Sequence, residues 1–176
     1  MQIRLAGYLP ESIVDGPGVR FVLFTQGCEH NCPGCHNPQT HALDGGRLVD
    51  AAEIFERIKK ARHIRGVTIS GGEPFLQAGP VSRLVRQLRA LGLHITTYTG
   101  YLFEELVAMG ARDKGVKDLL AGTDLSVDGP FVLAQRDLGL AFRGSRNQRL
   151  IDVPLSLVAG QAVMWENRES EVRVLA

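Results

Sequence analysis

The cysteines of this 176-residue chain all lie in one short segment, Cys28-Glu29-His30-Asn31-Cys32-Pro33-Gly34-Cys35. There are three of them, an odd number, and no cysteine elsewhere can pair with them, so a disulfide framework is excluded. Pro33 and Gly34 supply a turn that brings Cys32 and Cys35 together. Thiolates spaced by three and then two residues can surround one soft metal centre.

Three thiolates are one ligand short of a closed metal site. For zinc they fit an open catalytic site or a Cys₃His site, with a fourth ligand among His30, His36 and His41. For an iron–sulfur cube they leave one iron free to bind a group that is not protein. The spacing alone leaves zinc and iron–sulfur both open.

A second motif, Ser70-Gly71-Gly72-Glu73-Pro74, follows a predicted strand, where α/β sheets bind their ligands. Two adjacent glycines let a ligand approach the backbone closely, and Glu73 can pair with a cation. A tight turn that only closes the strand is the alternative. The combination with a cysteine segment after the preceding strand is more specific than either motif alone.

The elements that must position these motifs alternate between strand and helix patterns. Asp50 and Glu53 are placed like a capping box at the start of one helix. Predicted strands cover Arg20–Thr25, Val67–Ser70, His94–Thr99 and Asp124–Val127. Predicted helices run from Asp50 through Ile58, from Pro80 to Gly92, over Phe103–Met109 and over Asp113–Leu120. This alternation predicts an α/β fold with a mostly parallel sheet.

The pattern weakens after Gly129. Phe131–Phe142 is compatible with a helix, Leu150–Val153 with a strand, and Leu155–Ala176 with a strand or hairpin. Nothing divides the chain into parts, so residues 1–176 are expected to form a single domain. The sequence assigns no definite structure to the tail, residues 150–176.

Composition narrows the class of protein. Apolar residues make up 44% and charged residues 22%, and the formal net charge is +1, which argues against global disorder and against a strongly basic nucleic-acid binder. The longest uncharged stretch, Val153–Trp165, is too short to span a membrane, and the N-terminus lacks a signal-peptide pattern. We therefore expect a soluble cytoplasmic protein with no nucleic-acid or membrane partner.

In these two motifs the sequence resembles the radical S-adenosylmethionine (SAM) superfamily. Further segments narrow the resemblance to the glycyl-radical-enzyme activases, and most closely to the activases of anaerobic ribonucleoside-triphosphate reductase. These segments are Asp15-Gly16-Pro17-Gly18, Cys35-His36-Asn37-Pro38, Thr99-Gly100-Tyr101, Val127-Asp128-Gly129 and Phe142–Arg149, which contains Arg-Gly-Ser-Arg-Asn-Gln. The resemblance covers about residues 13 to 149.

The resemblance implies an incomplete, open (β/α) barrel of the radical SAM type. It implies that Cys28, Cys32 and Cys35 hold one [4Fe–4S] cluster and that the Gly-Gly-Glu-Pro turn binds the methionine end of SAM. The enzyme would cleave SAM reductively to a 5′-deoxyadenosyl radical, which takes hydrogen from a glycine of the reductase. No side chain would be catalytic, because cluster and SAM generate the radical.

The cofactor-binding residues implied by the resemblance are Gly34, Cys35, His36, Gly71, Gly72, Glu73, Thr99 and Asp128. A side chain at Gly72 is expected to intrude on the methionine moiety, and Asp128 either contacts SAM or the substrate or only forms a turn. The sequence departs from the wider superfamily at Gly34, where an aromatic residue is common, and His36 is expected to contact adenine instead. Tyr98 stands where pyruvate formate-lyase activase has an Asp, which argues against a cation site on Thr99 and Asp128.

The expected partners are the anaerobic reductase and a flavodoxin or ferredoxin-type electron donor. Arg143, Ser145 and Asn147 are expected near the entering glycine loop. The alternatives are an activase of another glycyl radical enzyme, such as pyruvate formate-lyase, and a non-enzymatic zinc module.

Overall fold

The computed structural model describes residues 1–166, which form one seven-stranded sheet with helices on one face. Its strands are β1 (Gln2–Ser12), β2 (Arg20–Thr25), β3 (Arg47–Asp50), β4 (Gly66–Gly71), β5 (His94–Tyr98), β6 (Leu125–Asp128) and β7 (Arg149–Asp152). Its helices are α1 (Ala51–Lys60), α2 (Ala78–Ala90), α3 (Phe103–Gly110), α4 (Lys114–Ala121) and α5 (Val153–Ala159). Within the described residues no helix is long and apolar enough to cross a lipid bilayer.

The strand order is β3-β1-β2-β4-β5-β6-β7, and the sheet does not close on itself. The four central strands β2, β4, β5 and β6 run parallel, whereas β1, β3 and β7 pair antiparallel at the two edges. The predicted open α/β architecture is confirmed. All four central strands end at the same edge, so the segments that follow them meet there.

The helices pack their apolar sides against the sheet and form the main core with it. That core includes Ile54 and Ile58 of α1, Leu84 and Leu88 of α2, and Leu119 of α4, each at most 2% exposed. Removing these aliphatic side chains from water fixes each helix against the sheet. Asp50 caps α1 as predicted by accepting from Ala52 N at 2.8 Å. Glu53, however, bonds Arg57 instead of completing the predicted capping box.

A buried arginine lies at the amino end of the parallel strands. Arg20 is fully buried, and its guanidinium donates to Thr68 Oγ1 at 2.6 Å and to the carbonyl oxygens of Pro17, Val67 and His94 at 2.7–3.0 Å. Burial lowers the pKa of Arg20 to about 10, so it stays charged at neutral pH. The Asp15-Gly16-Pro17-Gly18 segment therefore wraps this arginine, far along the sheet from the cysteines.

Several boundaries differ from the sequence prediction. β1 and β3 were not predicted, because Gly7, Pro10 and the irregular register of β1 hide its alternation. Helix α2 begins at Ala78, before Pro80. The predicted helix over Phe131–Phe142 is wrong, since only the single turn Leu133–Gln135 is helical and the flanking backbone forms a bridge between Arg136 and Ser145.

The strand predicted after Leu150 is confirmed as β7, but the next segment is a helix. Asp152 accepts from Leu155 N at 3.0 Å, and Pro154 suits the first turn of a helix, so α5 forms where a strand or hairpin was predicted. Residues 163–165 then pair with β7 through Asp152 N to Val163 O and Trp165 N to Leu150 O. The rest of the predicted tail, residues 167–176, lies outside the described residues.

Candidate functional site

The cysteine loop, residues 28–41, follows β2 and is closed by hydrogen bonds between its two ends. Gly27 N donates to Thr40 O at 2.8 Å, and Cys28 N donates to His41 O at 3.0 Å. The buried amide of Gln26 adds bonds to Gln39 O and Ala42 O at 3.2 and 2.7 Å. A loop tied at both ends can hold its thiols in a fixed arrangement.

The three thiols are half-buried and line one cleft. Cys35 N donates to Cys32 O through a turn in which Gly34 has φ +74°, so the predicted Pro-Gly turn is present. Burial raises the pKa of the Cys28 thiol, and the backbone N–H groups of His30 and Asn31 partly oppose it. Metal binding would offset that burial penalty, because thiolates bind as the deprotonated form.

The histidines near the three thiols have other contacts. Within residues 1–166 no three His, Cys, Asp or Glu side chains are gathered closely enough to hold one metal ion. His30 is hydrogen bonded to Glu73, and the His36 ring packs on Phe131 with centroids 4.9 Å apart. The three thiols line one cleft, and three thiolates are a ligand set that an iron–sulfur cube can use.

The Gly71-Gly72 turn lies directly against the start of the cysteine loop. Gly72 N donates to Thr25 O at 2.8 Å, and Glu73 N donates to Gly27 O at 2.7 Å. A Cβ at Gly72 would lie 2.3 Å from Gly27 O, and one at Gly71 would lie 2.6 Å from Thr25 N. These glycines are therefore required by close packing of two backbones, and a Gly72 side chain would strike the cysteine loop instead of pointing into the cleft.

Glu73 lies behind the cleft with its side chain 1% exposed. Its carboxylate accepts from Phe75 N, Thr99 Oγ1, Gly100 N and His30 Nε2, all at 2.9–3.0 Å. The hydrogen bond to Glu73 is the main cause that raises the pKa of His30. One buried carboxylate thus joins the glycine turn, the end of β5 and the cysteine loop.

Asp128, at the end of β6, is fully buried and already paired. It accepts from Arg149 Nε at 2.9 Å, from Arg149 Nη2 at 2.5 Å and from Phe103 N at 2.8 Å. This pairing, followed by the Glu104 contact, raises the pKa of Arg149. Thr99 Oγ1 and both carboxylate oxygens of Asp128 are thus already engaged in hydrogen bonds within the protein. Contact between Asp128 and SAM stays a prediction.

The loop between β6 and β7 forms the far wall of the cleft. Gln148 folds it, because its amide accepts from Gly144 N and Ser145 N and donates to Gly129 O. Ser145 is fully buried and accepts from Val132 N, so it supports the loop from inside. Arg143 and Asn147 likewise donate to backbone oxygens of this loop, to Gln148 O and Pro130 O.

The cleft is open to solvent at its mouth and is lined by polar and apolar groups from the ends of several strands. The structure brings the predicted residues Cys28, Cys32, Cys35, His36, Gly71, Gly72 and Thr99 together in its wall. Glu73 and Asp128 lie behind that wall, and Gly34 packs near Leu133.

Sequence reasoning missed three residues that line the same cleft. His30 was predicted only as a possible zinc ligand, and no role at the site was predicted for Phe131 or Gln148. Their position depends on contacts between distant segments, for which the local pattern carries no signal. The placement of Gln148 in the Arg-Gly-Ser-Arg-Asn-Gln segment was the one available indication.

Comparison with known proteins agrees with this geometry. Residues 14–151 match the family model for a 4Fe-4S single cluster domain. The anaerobic ribonucleoside-triphosphate reductase-activating protein of Escherichia coli K12 is 38% identical over 149 residues, covering 80% of this chain and 93% of that protein. Its counterpart in Salmonella typhimurium is 36% identical over 154 residues, covering 83% and 96%. The chain belongs to this family.

Other known proteins match shorter parts of the chain. A pyruvate formate-lyase-activating enzyme of Listeria monocytogenes is 40% identical over 88 residues, covering 47% of this chain and 36% of that enzyme. QueE from Escherichia coli is similar in structure with a TM-score of 0.45 and 19% identity, covering 57% of this chain and 53% of that one.

Membership of the activating-protein family confirms several predictions made from the sequence. The protein is a radical SAM enzyme, and its cofactors are a [4Fe–4S] cluster and SAM. The zinc alternative, which the cysteine spacing had left open, is thereby set aside.

Proposed function

We propose that this protein activates an anaerobic ribonucleoside-triphosphate reductase by creating its glycyl radical. The observation that carries the proposal is the position of the three thiols, which share one cleft with the Gly71-Gly72 turn at the carboxyl edge of the parallel strands. Family membership over most of the chain supports it. The match to the pyruvate formate-lyase-activating enzyme covers less than half of the chain, which favours the reductase as partner.

We propose Cys28, Cys32 and Cys35 as the ligands of the cluster. When bound, the reduced cluster supplies one electron that breaks a C–S bond of SAM, and the resulting 5′-deoxyadenosyl radical takes a hydrogen atom from glycine. The N–H group of Asn37, 3.4 Å from Cys35 Sγ, is a hydrogen-bond donor to that sulfur. Such bonds to cluster sulfurs help to set the reduction potential.

The other proposed cofactor-binding residues act in two ways. Gly34, His36, Gly71 and Gly72 shape the surface of the pocket, since glycine lets a ligand approach the backbone and His36 presents an exposed ring beside Phe131. Glu73, Thr99 and Asp128 are proposed to act from behind that surface. Their buried hydrogen bonds hold the ends of β4, β5 and β6 in place.

Tyr98 and residues of the β6–β7 loop line the cleft, where we propose that they shield its interior. Burial raises the pKa of the Tyr98 phenol, so the side chain presents a neutral hydroxyl at neutral pH. The mouth of the cleft stays open, which suits a substrate delivered as a loop of another protein. A shielded interior protects a reactive radical from side reactions.

We further propose that the chain forms one domain and works in the cytoplasm with a flavodoxin or ferredoxin-type electron donor. The single sheet supports the first point, and the three unpaired cysteines suit a reducing compartment.

The test is to incubate the anaerobically reconstituted protein with the reductase, SAM and a low-potential reductant. A glycyl-radical doublet in the electron paramagnetic resonance (EPR) spectrum is expected with the reductase, and its absence with the Cys35→Ala variant. SAM cleavage with a doublet on pyruvate formate-lyase, but none on the reductase, would contradict the proposed partner.

A further inference from the structure

His30 lies between the first two cysteines and reaches across to the glycine turn. Its Nε2 is 3.0 Å from Glu73 Oε2, and its ring packs edge-on against Tyr101 with centroids 4.6 Å apart. Gly100 leaves room for the ring, because a Cβ there would lie 2.4 Å from it. The imidazole therefore fills a slot between the cysteine loop and the end of β5.

The carboxylate that His30 contacts also fixes the SAM side of the cleft. Glu73 accepts from Thr99 and Gly100 at the end of β5 and from Phe75 in its own turn, and its backbone N–H bonds Gly27 O. Because Glu73 is 1% exposed, water cannot easily replace a lost donor. A hydrogen bond from His30 to this carboxylate thus links the cysteine loop to the glycine turn and fixes their separation.

We propose that His30 is a positioning residue that couples the cysteine loop to the SAM pocket through Glu73. The inference rests on the proposed function, because it concerns how the chain prepares its two cofactor sites to act together. The His30–Glu73 bond is not needed to supply a cluster ligand, since Cys28, Cys32 and Cys35 remain without it. It is needed to hold the loop that carries them at a fixed distance from Gly71 and Gly72.

Two substitutions separate the hydrogen bond from the bulk of the side chain. His30→Leu keeps an apolar group against Tyr101 but has no donor, whereas the amide of His30→Gln donates to Glu73 again. Gln39→Leu is the matched control, because Gln39 has an exposed side chain on the same loop. Each protein is reconstituted anaerobically and compared at equal iron and sulfide content.

Three readouts do not depend on turnover. They are the SAM dissociation constant, the change in the EPR spectrum of the reduced cluster when SAM is added, and hydrogen exchange of the backbone N–H groups of Gly72, Glu73 and Gly100 in the apoprotein. For His30→Leu we expect SAM affinity to fall about tenfold or more, the spectral change to be lost and exchange at these N–H groups to rise. For His30→Gln and Gln39→Leu we expect values within about threefold of the parent protein.

The results for the two His30 variants test the positioning role and the proposed function separately. Parent-like SAM affinity and spectra in His30→Leu would overturn the positioning role while leaving the proposed function intact. Equal damage in His30→Leu and His30→Gln, including loss of the cluster from both, would also overturn it, because the hydrogen bond would not be what His30 supplies. Failure of the parent protein itself to bind SAM would contradict the proposed function and the inference together.

Discussion

Replacing Asp128 by Asn tests whether this carboxylate binds SAM or stabilises the fold. The carboxylate is fully buried and accepts three hydrogen bonds, two from Arg149 and one from Phe103 N. An Asn oxygen in the place of Oδ2 keeps the bonds from Phe103 N and Arg149 Nη2. The Asn NH₂ group then faces Arg149 Nε–H, so that bond is lost together with the negative charge.

The size of the effect follows from this count. A hydrogen bond to a charged group contributes about 1.5–3 kcal/mol, and breaking a buried ion pair costs about 3–5 kcal/mol. Arg149 is 28% exposed and keeps Glu104 as a partner, which lowers the cost. We therefore expect Asp128→Asn to reduce the free energy of unfolding by about 2–3 kcal/mol, which corresponds to a melting temperature lower by roughly 4–12 °C.

The assay pairs thermal unfolding, followed by circular dichroism, with SAM binding measured well below the melting temperature. SAM affinity of the folded Asp128→Asn protein should equal that of the parent. Glu104→Gln removes the exposed partner of the same arginine, 54% exposed, and should cost about 1 kcal/mol or less. A tenfold loss of SAM affinity in Asp128→Asn without a change in melting temperature would refute the structural role.

Three further predictions concern the cleft and its cluster. Gly72→Ala should lose both cluster and SAM binding, because its Cβ would lie 2.3 Å from Gly27 O. Gly79→Ala on α2 has open space around it and should keep both. Loss of SAM binding alone from Gly72→Ala would mean that the side chain points into the pocket. Iron and sulfide analysis should give about four of each per chain, and a reproducible value near eight would contradict a single cluster. Gly144→Ala should weaken SAM binding, because its Cβ would lie 2.9 Å from His36 and 3.0 Å from Phe131 and would displace both rings. Gly139→Ala should leave SAM affinity unchanged. Equal SAM affinities of the two variants would show that this wall does not contact SAM.

The sequence predicted the centre of the fold and the position of the site because both depend on local patterns. β2, β4, β5 and β6 are short runs of apolar and β-branched residues, and each motif follows one of them directly. Parallel strands bring such segments to one edge, so the meeting of Cys28–Cys35 with Gly71-Gly72 could be expected.

The remaining features depend on contacts between distant residues. The helix predicted within the β6–β7 loop does not form. Gln148, Ser145 and Asn147 instead fold the loop through hydrogen bonds to its own backbone. Apart from Phe75, the partners of the Glu73 and Asp128 carboxylates come from residues 21 to 43 positions away, which no spacing rule reveals. Both acids hold segments around the cleft through buried hydrogen bonds, and their contact with the cofactor stays a prediction.

The central claim is that this protein takes a hydrogen atom from a glycine of the reductase. The most direct measurement uses reductase that carries α-deuterated glycine and determines by mass spectrometry the isotope content of the 5′-deoxyadenosine formed. We expect one deuterium in that product, together with the glycyl-radical doublet, and neither with Cys35→Ala. Unlabelled 5′-deoxyadenosine formed in the presence of fully labelled reductase would contradict it.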